Sequence, residues 1–143
     1  MLSRRTSRAA RLLPILGALL FCCGLNAQES TRAVAPAQMP SPNPFVSQGV
    51  DAGDYVYISG QGPDRADGTM PSAFNLQVRQ ALDNVKRIVE AAGLTMDNVV
   101  YTQVYLTDVS RAGEINRVFA EYFPKVPPAR AVLGVANIPE PPV

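Results

Sequence analysis

From residue 45 onward, apolar and polar positions follow two alternating periods. In YVYISGQ (55–61) the period is two, so Tyr55, Tyr57 and Ser59 fall on one side of a strand and Val56 and Ile58 on the other. FVSQGV (45–50) precedes it across the turn Asp51-Ala52-Gly53-Asp54, and the pair predicts a β-hairpin. Over residues 72–92 the period changes. Val78, Ala81, Leu82, Val85, Ile88, Val89 and Ala92 recur every three or four residues and predict an amphipathic helix. Ser72 is placed to cap its start and Gly93 to end it. Arg79, Asp83, Lys86, Arg87 and Glu90 make up its polar face, which reads as solvated. NVVYTQVYLTD (98–108) is β-branched and aromatic, as strands are. A second helical stripe, Ile115, Val118, Phe119 and Tyr122, runs through 110–123 and stops at Pro124. ARAVLGVANI (129–138) predicts a last strand.

The predicted order is β-β-α-β-α-β, an α+β domain with two helices covering one face of a sheet. The other sheet face carries Tyr and Val side chains, too apolar to face water over a wide area. Such a face implies an interface, and hence an oligomer.

The first 44 residues follow a different pattern. SRRTSRAAR (3–11) holds four arginines and no acid, and LLPILGALLFCCGL (12–25) is almost wholly apolar. This order predicts a secretory signal peptide over 1–27, cut after Ala27, and a periplasmic or secreted protein. The apolar run is shorter than the roughly 20 residues of a membrane span, so no stable membrane association is expected after cleavage. Residues 28–44, rich in Pro, Ala and Ser, are expected to be a flexible spacer, with the folded domain over 45–143.

Composition narrows the chemistry. The chain of 143 residues has no histidine, and its two cysteines, Cys22 and Cys23, both lie in the predicted signal. Histidine or cysteine metal sites and Ser-His or Cys-His nucleophile pairs are therefore ruled out of the domain, and any chemistry must rest on arginine, carboxylates, hydroxyls, backbone groups and water. Removing the four signal arginines leaves nine basic and 12 acidic residues, a net charge of −3. With no basic patch, nucleic acid is not the expected partner.

One charge sits oddly. In VPPARAVLGVANIP (126–139), Arg130 follows two prolines and leads an apolar strand. Pro127 and Pro128 stiffen the approach, and a guanidinium there presents a planar fork that matches a carboxylate. From the residues alone, a structural ion pair at the strand end is the competing explanation.

SQGV…YVYISGQ, QALDNVKRIVEAAGL, NVVYTQVYLTD, EINRVFAEYFP and PPARAVLGVANIP, in this order and spacing over residues 45–139, closely resemble the Rid family of YjgF-type reactive-intermediate deaminases. The resemblance implies a chorismate-mutase-like fold and homotrimers whose sheets line a central barrel, with active sites between subunits. It implies hydrolysis of 2-imino and enamino acids to 2-keto acids and ammonia, without metal or organic cofactor. On this resemblance Arg130 binds the substrate carboxylate, Ser59 is the cleft serine, and Gly60 exposes backbone to the ligand. Phe45 stands near where the family often has a tyrosine. It has no hydroxyl and can only shape the cleft. The family also ends in a strand with a water-positioning glutamate. This sequence stops at EPPV, so the domain is expected to lack that strand, and Glu140 does not match that residue. The alternative implied by the same fold is a non-catalytic trimer that binds small ligands or acts as a holdase.

Overall fold

The computed structural model describes residues 31–37 and 44–138. The predicted signal peptide with Ala27, and Glu140 with the last residues, lie outside this range. Five strands and two α-helices, with two single 3-10 turns, make up the described fold. They are β1 (Arg32–Val34), β2 (Gly49–Asp51), β3 (Val56–Ile58), α1 (Phe74–Ala91), β4 (Tyr101–Leu106), α2 (Ala112–Tyr122) and β5 (Ala129–Gly134). From residue 45 on, the element order is the one the periodicity predicts.

Two expectations need correction. The first concerns the spacer over 28–44, which contains β1, paired antiparallel with β2 in the register Arg32↔Asp51, Val34↔Gly49. Arg32 and Asp51 form an ion pair at 3.1 Å, and Val34 is buried. Pairing and burial, which local composition does not encode, fix residues 32–34. The second concerns the helix cap. α1 begins one residue later than a Ser72 cap requires: Ala73 is its N-cap, without a side-chain bond. Gln77 instead reaches back to the Pro71 carbonyl at 2.8 Å. The α+β fold with two helices packed on the strands is the expected one, and the strands pair as two ladders, an antiparallel β1-β2-β3 and a parallel β4-β5. Among the described residues no strand bridges the free edges of β3 and β4.

The end of α1 follows the sequence expectation. Gly93 takes the left-handed conformation at φ +79°, its N–H donates to the Glu90 carbonyl, and Leu94 N–H reaches Val89 O at 3.1 Å. This is the 6→1 and 5→2 closure that favours glycine.

Helices and ladders meet through small residues. A Cβ on Gly49 would lie 2.9 Å from Ile88 Cγ2 and 3.5 Å from Val34 Cβ, so glycine lets α1 lie directly on β2. Ile88 is fully buried there. Leu82, Val118 and Phe123 form the core between the helices, with Val78, Met96, Val99, Phe119 and Tyr122 packed around it. The opposite ladder faces are open: Tyr57, Tyr101, Tyr105 and Leu133 are all exposed in the single chain. Tyr105 donates to Gln103 at 2.6 Å, and Gln103 donates to Tyr101 at 3.1 Å, so a polar chain runs along β4 between the rings. Among the described residues no helix is long and apolar enough to cross a membrane.

Candidate functional site

Arg130 is the second residue of β5, opposite Thr102 in the parallel register. Side chains alternate along each strand. Arg130 therefore shares the helix-covered face with Thr102 and Val104, while Ala129 and Ala131 join Tyr101 and Gln103 on the open face. Its guanidinium leans on α2. The central carbon lies 4.7 Å above the centre of the Phe119 ring, and Nη2 donates to the Asn116 side-chain carbonyl. No acid pairs with Arg130 among the described residues, so the strand-end ion pair is not found. Beside it, the Thr102 hydroxyl is buried without a hydrogen-bond partner among the described residues. A charged fork with unused donors thus stands next to an unused hydroxyl at the accessible start of an edge strand.

Ser59 lies just past β3. Its N–H bonds Gln48 O at 2.9 Å and its hydroxyl donates to Ser47 O at 2.7 Å. The hydroxyl hydrogen ties the two arms of the hairpin together, so toward a ligand Ser59 offers lone pairs only. Gln61 donates to the Ser59 carbonyl at 3.0 Å and shapes the turn. Gly60 is exposed, and a Cβ there would meet nothing within 4 Å, so the space beside it is open. Phe45 is 92% exposed.

The structure does not bring Ser59 and Arg130 into contact. They belong to different ladders, and no hydrogen bond joins them. A surface depression of about 290 Å³ lies elsewhere, among Arg79, Asp83, Lys86, Met96, Glu121 and Tyr122. Most of its polar groups bond one another. Arg79 clasps Glu121 with both terminal nitrogens, and Tyr122 donates to Asp83 at 2.6 Å. Burial, and then the Asp83 carboxylate, push the Tyr122 phenol well above its ordinary range. These bonds stitch α1 to α2.

Three residues near the site carry no distinctive sequence pattern. Asn116 and Phe119, 14 and 11 residues upstream in α2, hold Arg130, and only Phe119 falls on the predicted apolar stripe. Asn84, 3% exposed in mid-helix, donates to Gly62 O at 3.1 Å and Asp64 O at 2.8 Å. It pins the loop that follows Ser59 and Gly60 onto α1. The sequence places Asn84 only at the flank of the apolar stripe, beside Ile88, and its burial appears in the structure alone.

Known proteins share both sequence and fold with this chain. The sequence profile of the Endoribonuclease L-PSP family matches residues 36–143. A RutC family protein of Sulfurisphaera tokodaii is 38% identical over 103 residues, covering 71% of this chain and 82% of that protein. The 2-iminobutanoate/2-iminopropanoate deaminase of Escherichia coli K12 is 39% identical over 110 residues, covering 74% and 83%. Among solved structures, yeast Mmf1 superposes with a TM-score of 0.73 at 32% identity, covering 77% of this chain and 89% of that one. The YjgF gene product of E. coli gives 0.72 at 35% identity, covering 76% and 89%.

Proposed function

This chain belongs to the Endoribonuclease L-PSP (YjgF/Rid) family, and from that premise we propose that it hydrolyses reactive 2-imino and enamino acids to 2-keto acids and ammonia. The observation that carries this reading is the state of Arg130. Its guanidinium is held by a neutral acceptor and a ring face, and among the described residues it pairs with no carboxylate and keeps donors free at the accessible start of β5. An isolated cation of this kind binds an anionic group in a two-pronged pair.

The chemistry asks little more of the protein. The imine carbon is already electrophilic. Water adds to it, the resulting carbinolamine loses ammonia, and the carbonyl of the keto acid forms. Holding the carboxylate fixes the imine carbon relative to a water and removes much of the entropic cost of the encounter. Ser59 contributes lone pairs and Gly60 an unobstructed backbone. The deaminase name carried by the E. coli relative supports this substrate class. A ribonuclease activity, which the family's name raises, is disfavoured by the net charge of −3 that remains after residue 27.

We further propose that the site closes between copies of the chain in a homotrimer. The open ladder faces with Tyr57, Tyr101, Tyr105 and Leu133 and the separation of Ser59 from Arg130 both call for a second surface. Export to the periplasm or beyond, with cleavage after Ala27, would leave β1 intact, since Arg32 lies past the cut. Mass spectrometry of the envelope protein tests the cleavage, and an intact Met1 would reject it. Ammonia release from freshly generated 2-iminopropanoate tests the activity. Retained ligand binding or client protection without ammonia release would favour the non-catalytic alternative.

A further inference from the structure

We infer that Asn116 and Phe119 are positioning residues that hold the Arg130 guanidinium open for a substrate carboxylate, an inference that rests on the role proposed for Arg130. The two lie three residues apart and so share one face of α2. That face meets the guanidinium in two complementary ways: its central carbon lies 4.7 Å from the centre of the Phe119 ring, and the Asn116 carbonyl oxygen accepts from Nη2. The ring gives the cation a surface to rest on and the amide fixes the direction of one Nη2 hydrogen.

The donor geometry explains why this grip leaves the fork usable. A guanidinium has five N–H bonds and two edges that can take a carboxylate in parallel, one formed by Nε and Nη2 and one by Nη1 and Nη2. Asn116 engages one of the two Nη2 hydrogens. Whichever it takes, the other hydrogen completes one of the two edges, so a two-pronged site survives. The amide is also neutral. It orients the cation without cancelling its charge, whereas an aspartate at 116 would itself occupy the fork as an ion pair. Phe119 is anchored in turn by the core, where its ring lies 5.5 Å from that of Phe123.

The inference is tested on the full chain with 2-iminopropanoate, using steady-state kinetics and NMR order parameters of the Arg130 Nε–H bond. Asn116→Ala and Phe119→Leu should each raise KM by about 3- to 10-fold with a smaller change in kcat, and should lower the Nε–H order. Phe119→Tyr keeps the ring and should restore most of the loss. Asn116→Asp should be more damaging than Asn116→Ala while the Nε–H bond stays ordered, a combination that a merely structural role would not produce. If the wild-type protein releases no ammonia, the proposed function falls and this inference with it. If the wild type is active and Arg130→Ala is not, yet Asn116→Ala and Phe119→Leu leave both KM and the Nε–H order unchanged, the present inference alone is overturned.

Discussion

Replacing Asn84 by alanine removes the side chain that fastens the loop after Ser59 to α1. Its amide donates to Gly62 O at 3.1 Å and Asp64 O at 2.8 Å and accepts from Gln80 Nε2 at 2.9 Å, all at a residue 3% exposed. A buried bond left half-made costs about 1–3 kcal/mol, because the remaining partner keeps its desolvation penalty. Gly62 is exposed and Asp64 and Gln80 are half-buried, so water recovers part of that loss. The expected net cost of Asn84→Ala is therefore about 2–3 kcal/mol rather than the full sum of three bonds. Asn84→Asp should cost more. It keeps the shape but turns two donors into a carboxylate facing two carbonyl oxygens. The assay is urea unfolding at fixed protein concentration, since assembly makes apparent stability depend on concentration. The midpoint should fall with an unchanged slope, and for a domain of this size the melting temperature should drop by about 10–20 °C. A loss below about 0.5 kcal/mol, or an aspartate variant as stable as wild type, would show that the loop is held by something else.

Arg130→Lys keeps the charge but loses the planar fork, and should lower kcat/KM for 2-iminopropanoate by about 30- to 1000-fold with an unchanged circular dichroism spectrum. Tyr122→Phe deletes the bond to Asp83 at 2.6 Å and should lower the unfolding free energy by about 1–2 kcal/mol in the same urea assay, with little effect on turnover. Acid should destabilise the fold. Asp51, beside Arg32, Asp67 and Asp108, bonded to Thr69 and Ser110, and Glu114 and Glu121, paired with Arg111 and Arg79, are all held below the usual carboxylate range. Their stabilising effect is present above the unfolded-state pKa near 4 and is lost as pH falls through the lower folded values, while the absence of histidine leaves stability flat from pH 5.5 to 8. Urea midpoints measured from pH 2 to 8 would show that shape; a fall between pH 6 and 7 would contradict it.

The elements that could be read from the sequence are those whose burial has a period. The stripe from Val78 to Ala92 became α1 because one face of a helix must meet the ladders, and Gly93 ended it because only a left-handed residue closes that turn. β1 was not legible. Three residues among prolines and alanines carry no period, and Arg32 and Val34 are ordered by partners 15 or more positions away. Ser72 was misplaced by one residue, within the ordinary imprecision of a helix start. At the site, Arg130 stood out as a lone charge in an apolar segment, whereas its holders did not. Asn116 and Phe119 look like ordinary helix residues until α2 is laid beside β5. Ser59 was recognisable by its motif, but the commitment of its hydroxyl hydrogen to Ser47 depends on hairpin register, which a single strand does not reveal.

The most direct test of the account is the rate of ammonia release from 2-iminopropanoate generated in the cuvette, compared among wild-type protein, Arg130→Ala and buffer. The wild-type protein should clearly exceed the spontaneous rate and Arg130→Ala should fall back to it. A wild-type rate equal to buffer, or an Arg130→Ala rate equal to wild type, would contradict the assignment of Arg130 as the carboxylate-binding centre of an imine hydrolase.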